Sequence, residues 1–214
     1  MSYITDGFDK KVVELLNEGA VGFMPTDTIY GLSCRALNEK AVERLHQLKG
    51  RSHNKPLIVL ISDLKMLALP KNLSGVVGNQ ITEYQVFGSG LDALGVRYNK
   101  VITLVEKYWP GPLTVIFDAP RSPKWLHRGT KTLAVRMPAV ADLQNLIKQV
   151  GPLVSTSANA EGERPAQSVE QARKYFGEQL DFYIDVGKVK TQPSTIARVE
   201  KSKLKLVRQG AIKI

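Results

Sequence analysis

Apolar residues recur at Phe8, Val12, Leu15 and Leu16, a helical spacing, and Gly19 follows as a stop signal, so residues 8 to 18 are predicted to form an amphipathic helix. A strand is expected at Ala20 to Met24. The alternation then repeats: Val42, Leu45 and Leu48 mark one face of a helix from about Glu39 to Lys49. The uninterrupted apolar run Leu57 to Ile61 that follows suits a buried strand. Further strands are expected at Leu113 to Phe117, Leu133 to Arg136 and Leu153 to Ser155, with a helix near Ala139 to Gln149. Ser168 with Gln171 forms a capping-box pattern that opens a helix ending at Phe176. The chain finishes on strands at Phe182 to Asp185, Thr195 to Val199 and Leu204 to Arg208. Helices alternating with strands and a β-rich end predict an α/β domain on a mixed parallel/antiparallel sheet.

Between Leu69 and Lys100 the pattern weakens and five glycines appear, which reads as an insertion or long loop at about 70–100 within one domain spanning 1–214. Its Gly88-Ser89-Gly90 lacks the leading strand and third glycine of a dinucleotide fingerprint. At 214 residues the chain is of single-domain size, and 43% hydrophobic with 23% charged residues is an ordinary globular balance. No apolar run approaches the roughly 18 residues of a membrane span, and the polar, acidic start is unlike a signal peptide, so a cytoplasmic protein without membrane partners is expected. The single cysteine, Cys34, excludes an internal disulfide and multi-cysteine metal sites; it reads as a packed residue.

The charge narrows the partners. Thirty Lys and Arg against twenty Asp and Glu give +10, which points to an anionic ligand such as a nucleotide or RNA. From Lys188 to the C-terminus eight basic residues accompany one acid, Glu200. Two acid-free basic stretches, Arg44 to Lys55 and Arg121 to Arg136, precede or include apolar strands.

The candidate chemistry lies in short polar strings at the ends of expected strands, where open α/β sheets bind ligands. Pro25-Thr26-Asp27-Thr28-Ile29-Tyr30-Gly31-Leu32 presents two hydroxyls and a carboxylate on a turn, suited to a small zwitterion or equally to turn capping. Lys49-Gly50-Arg51 with Lys55 forms a compact cationic cradle for phosphate, or else an exposed helix C-terminus decorated with cations. Trp109-Pro110-Gly111-Pro112-Leu113-Thr114 reads as scaffold. Arg136 closes an apolar strand and needs an anion, either a structural carboxylate or a ligand. Ser155-Thr156-Ser157-Ala158-Asn159 packs four hydrogen-bonding side chains after a strand, to line a site or cap a helix. Pro193-Ser194-Thr195-Ile196 and Arg208 complete the set.

In order, PTDTIYGL, KGR with KPL, WPGPLT, AVRMP, STSAN and STI resemble the YrdC-type threonylcarbamoyl-AMP synthases along nearly the whole chain. The resemblance implies a YrdC-like fold, a twisted mixed sheet flanked by helices. It also implies a nucleotidyltransferase that condenses L-threonine, bicarbonate and ATP into threonylcarbamoyl-AMP and pyrophosphate. The product would pass to a downstream complex that modifies tRNA. By motif, Lys49, Arg51, Ser157 and Asn159 would hold the ATP phosphates and the transition state; Lys55, Thr132 and Arg208 match further nucleotide positions. Thr28, Arg136, Ser155 and Ser194 match the threonine end, with Arg136 facing the substrate carboxylate. With Asp27 the only acid in the strings before the serine cluster, magnesium would be carried mainly by the nucleotide phosphates and no protein metal site is expected.

The sequence departs from the family pattern in places. Leu60 stands where some members carry a histidine, and Ala160-Glu161-Gly162-Glu163-Arg164-Pro165 replaces a Ser-Gly-containing loop. The 70–100 region is longer than the family norm. The alternative reading is a diverged member that binds nucleotide or RNA without synthase activity.

Overall fold

The computed structural model describes residues 1–50, 57–67, 104–120, 122–160, 162–201 and 203–214. Arg51, Lys55 and the 70–100 insertion lie outside the described residues.

The sheet forms from β1 (Tyr3–Thr5), β2 (Gly22–Met24), β3 (Gly31–Arg35), β4 (Ile58–Leu60), β5 (Leu113–Asp118), β6 (Thr132–Arg136), β7 (Leu153–Ser157), β8 (Phe182–Ile184), β9 (Thr195–Glu200) and β10 (Lys203–Arg208). The strand order is β1-β8-β2-β3-β7-β4-β6-β5-β9-β10, with parallel and antiparallel neighbours mixed, as the alternating pattern predicts. Helices α1 (Lys10–Asn17), α2 (Glu39–Leu48), α3 (Lys124–His127), α4 (Ala141–Val150) and α5 (Val169–Phe176) cover it.

Local chemistry places the helix ends. The Asp9 carboxylate accepts from Val12 N, the Asn38 side chain from Ala41 N, and Ser168 Oγ from Gln171 N, each satisfying a first-turn donor. The second half of the expected capping box is shifted, because Gln171 Oε1 accepts from Gln167 N, one residue before the cap. Gly19, at φ +93°, stops the first helix in a conformation that side chains resist.

The two sheet faces carry separate cores. Val12 and Leu16 of α1 with Leu143, Leu146, Ile147 and Val150 of α4 pack on Met24, Leu60, Leu153, Phe182 and Ile184. On the opposite face α2, α3 and α5 cover Phe23, Leu32, Val59, Val115, Val135, Val154 and Tyr183. Burying each of these larger side chains stabilises the fold by about 1.5–3 kcal/mol.

Two strands were not foreseen from the pattern. β1 has only three half-exposed residues and owes its existence to parallel pairing with β8, where Tyr3 meets Phe182. β3 overlaps the string that reads as a turn, and its Gly31 and Ser33 interrupt the apolar positions although both are buried. β7 runs two residues past its expected end at Ser155, so the whole Ser155-Thr156-Ser157 cluster is strand, with Ser157 opposite Gly31.

Candidate active site

Among the described residues, helices cover the α1/α4 face of the sheet only in part. Residues two apart on a strand share a face, so Leu153, Ser155 and Ser157 of β7 point the same way, as do Thr132, Ala134 and Arg136 of β6. Leu153 lies beneath α4; beyond it the strand turns polar as it leaves the cover of the helix. The uncovered part, over β7, β4, β6, β5 and β9, floors a cleft of about 330 Å³.

Cross-strand register sorts the cleft residues into rows. Leu153, Leu60 and Arg136 stand in register, and Arg136 continues to Thr114 and Ile196. The next row holds Ser155, Ile58, Ala134 and Ile116, an apolar middle. The third holds Ser157 on β7 and Thr132 opposite Asp118 on the β6–β5 pair. Adjacent rows are about 6.6 Å apart along the strands, two residues of extended chain.

Of the residues matched to threonine, Arg136, Thr28 and Ser194 gather at the first row, while Ser155 stands in the second. Arg136 is 4% exposed; its Nη1 donates to Thr28 Oγ1 at 2.7 Å, and its Nη2 lies 3.5 Å from Asp27 Oδ1. Its Nε has no hydrogen-bond partner among the described residues. The structural carboxylate that a buried arginine requires is therefore Asp27, which sequence reading left without a role. Burial pushes the Arg136 guanidinium below its ordinary value; Asp27 opposes that and the neighbouring cation of Arg208 adds to it. Thr26 orients Thr28: its Oγ1 lies 3.1 Å from Thr28 Oγ1, accepts from Thr28 N and donates to Ile29 O. Ser194, 2% exposed, pairs through Oγ with Thr114 Oγ1 at 2.8 Å. Thr114 closes the WPGPLT string, and its side of β5 is the signal that could have marked it.

Arg208, matched to nucleotide, lines the same cleft, where its Nη2 donates to Ser194 O at 2.8 Å. The C-terminal turn holds both: Ala211 N donates to Pro193 O, and Thr195 Oγ1 accepts from Gly210 N and Ile212 N. A Cβ on Gly210 would lie 2.3 Å from Pro193 O, so only glycine permits this approach. Gly31 is similar, because a Cβ there would lie 2.8 Å from Ser155 Oγ in the cleft wall.

At the other end, Lys49 follows α2 and is 4% exposed, not displayed at the surface as an exposed helix terminus would be. Its Nζ donates to Ser157 O, to Asn159 O at 2.8 Å and to Asn159 Oδ1 at 3.2 Å, while Ser157 Oγ donates to the same Oδ1 at 2.7 Å. Three of the four residues matched to the phosphates thus form one cluster. Thr132 stays apart, its Oγ1 donating to Thr130 Oγ1; of the cluster itself Ser157 lines the cleft, whereas Lys49 and Asn159, like Thr132, do not. Trp109 is scaffold, buried with Nε1 donating to Leu113 O. Burial pushes the Cys34 thiol far up, so it carries no nucleophile.

A mixed sheet whose open face carries a buried, half-neutralised arginine and, through Ser157, reaches a lysine–serine–asparagine cluster defines an α/β protein with chemistry suited to anionic ligands. Residues 14–210 match the Sua5/YciO/YrdC family, described as telomere recombination, and the chain belongs to that family. The chain is 32% identical over 211 residues to the putative threonylcarbamoyl-AMP synthase of Methanocaldococcus jannaschii, covering 96% of this chain and 88% of the relative. It is 36% identical over 171 residues to the threonylcarbamoyl-AMP synthase of Halorhodospira halophila, covering 79% and 78%. Among solved structures, P. abyssi Sua5 complexed with L-threonine superposes with a TM-score of 0.75 at 27% identity, covering 98% of this chain and 57% of that one. E. coli YciO shares the fold, with a TM-score of 0.75 at 22% identity and 98% and 96% coverage.

Proposed function

We propose that this chain is a threonylcarbamoyl-AMP synthase, a nucleotidyltransferase that joins L-threonine, bicarbonate and ATP with release of pyrophosphate. The single observation that carries the reading is Arg136, a buried guanidinium at the cleft with an unpartnered Nε, beside Thr28 and Ser194. Relatives named for this activity at 32–36% identity support it.

In the reaction, an oxygen of N-carboxylated threonine bonds to the α-phosphorus of ATP as the bridging bond to the β-phosphate breaks, and pyrophosphate leaves with the electron pair. Both reactants are anions, so charge neutralisation and alignment supply the rate rather than a covalent intermediate. Arg136, with Thr28, holds the amino-acid carboxylate; the Lys49, Ser157 and Asn159 cluster serves the nucleotide, and the resemblance assigns Arg51 and Lys55 of the same strings to it as well. The apolar middle row, Ile58, Ala134 and Ile116, separates the two charged ends by a distance suited to a small amino acid. Magnesium enters on the nucleotide phosphates and offsets their charge. The labile adenylate passes to a downstream tRNA-modifying complex in the cytoplasm, and the basic C-terminal strands give RNA an attractive rim.

The test is pyrophosphate release with ATP, magnesium, bicarbonate and threonine, each omitted in turn, beside Arg136→Gln. Release that needs threonine and bicarbonate, and that falls at least about a hundredfold in the variant at sub-saturating threonine, is expected. Release indifferent to threonine refutes the reading.

A further inference from the structure

At the threonine end a second charge is buried. The Asp27 side chain is 5% exposed, as is that of Arg136. Its Oδ2 accepts from Ala139 N at 3.3 Å, in the segment entering α4, while Oδ1 lies 3.5 Å from Arg136 Nη2 and makes no hydrogen bond among the described residues. That separation is beyond a good hydrogen bond yet short enough for strong attraction. Asp27 therefore neutralises Arg136 without consuming its donors: Nη1 is committed to Thr28, whereas Nε has no partner among the described residues and Nη2 meets Asp27 only at 3.5 Å, in a residue that lines the cleft and suits a carboxylate.

We infer that Asp27 is a positioning residue that sets the affinity for the amino-acid carboxylate, acting as the resident counter-charge of Arg136 when the cleft is empty and opposing the ligand's carboxylate when it is full. The reasoning is a cycle. An unpaired buried cation is costly, so Asp27 stabilises the empty protein more than the loaded one, where the ligand supplies its own negative charge. Removing the Asp27 charge at constant shape must then shift free energy toward binding. A residue with a purely architectural role predicts the opposite, because damage to the turn loosens Arg136 and weakens binding.

The inference rests on the threonine-end assignment above, and the measurements separate the two. Threonine binding by the full chain is followed by calorimetry, with KM for threonine and for ATP from pyrophosphate release. In Asp27→Asn the dissociation constant and KM for threonine are expected to fall about tenfold, with KM for ATP unchanged. Threoninol, which lacks the carboxylate, should show no such gain. In the Arg136→Gln background the Asp27→Asn effect should vanish, since both charges are gone. If Asp27→Asn does not accumulate as folded protein, Asp27→Ser, which leaves room for water, is read in the same way. Unchanged or weaker threonine binding in the folded variant overturns the inference, as does an equal gain for threoninol. Absence of threonine binding in the unsubstituted protein overturns the threonine-end assignment itself, and this inference with it.

Discussion

Replacing Lys49 with methionine tests whether its ammonium holds the polar cluster together. Methionine keeps the length and the apolar stem but removes the donor that meets Ser157 O, Asn159 O and Asn159 Oδ1. Two backbone carbonyls and one amide oxygen lose a charged donor at a site where Lys49 is 4% exposed. Leaving a buried acceptor unpaired costs about 1–3 kcal/mol. Asn159 Oδ1 retains Ser157 Oγ as a donor and Ser157 O retains Asn159 N, so only Asn159 O carries the full cost. Against it stands relief from burying an ammonium, a penalty of similar kind. The net expected loss is about 1–2 kcal/mol, which for a domain of this size lowers the midpoint of thermal unfolding by about 2–8 °C.

The assay is thermal unfolding followed by circular dichroism, without ATP and with saturating ATP, in a cycle with Asn159→Ala. The two substitutions share contacts, so their losses should fall short of additive by at least about 0.5 kcal/mol. Turnover should fall at least about a hundredfold as well, because under the proposed function Ser157 and Asn159 must stay ordered against the nucleotide, and a misplaced catalytic group costs about that much. An unfolding midpoint unchanged without ATP would refute the reasoning: the ammonium would then contribute only to ligand binding, not to holding Ser157 and Asn159.

Two other predictions concern the ends of the chain. Gly210→Ala should displace the C-terminal turn, since its Cβ would meet Pro193 O at 2.3 Å; lowered stability and a raised KM for threonine, through loss of Ser194 and Arg208 positioning, are measurable by unfolding and steady-state kinetics. Asp9 is pushed upward by burial, but hydrogen bonds from Tyr3 Oη, Val12 N and Thr5 Oγ1 outweigh this and hold its carboxyl below the usual range. The folded value is depressed, so this contribution to stability is complete above about pH 4 and disappears as pH falls through the folded value. Asp9→Ala should therefore lower the unfolding midpoint at pH 7 while flattening the decline of stability below pH 4, read from melts across pH 2–7.

The sequence by itself determined the elements with strong periodicity, because local spacing and caps such as Gly19 and Ser168 act within one turn of chain. It also determined the identity of the polar strings, since their residue types and order survive any arrangement. What it could not determine was the partnership across the sheet. β3 and the full length of β7 depend on each other's register, with Gly31 opposite Ser157, and a glycine–serine run has no apolar period to announce a strand. The partner of Arg136 is Asp27, 109 positions away along the chain, and Lys49 reaches Ser157 and Asn159 from a helix end of unrelated sequence. Only the tertiary structure decided that Arg208 stands beside Ser194 and Arg136 and that Thr132 is absent from the cleft lining, because a side chain's neighbours follow from strand order and from which part of a face the helices leave uncovered. Those are properties of long-range packing, and no short window of sequence contains them.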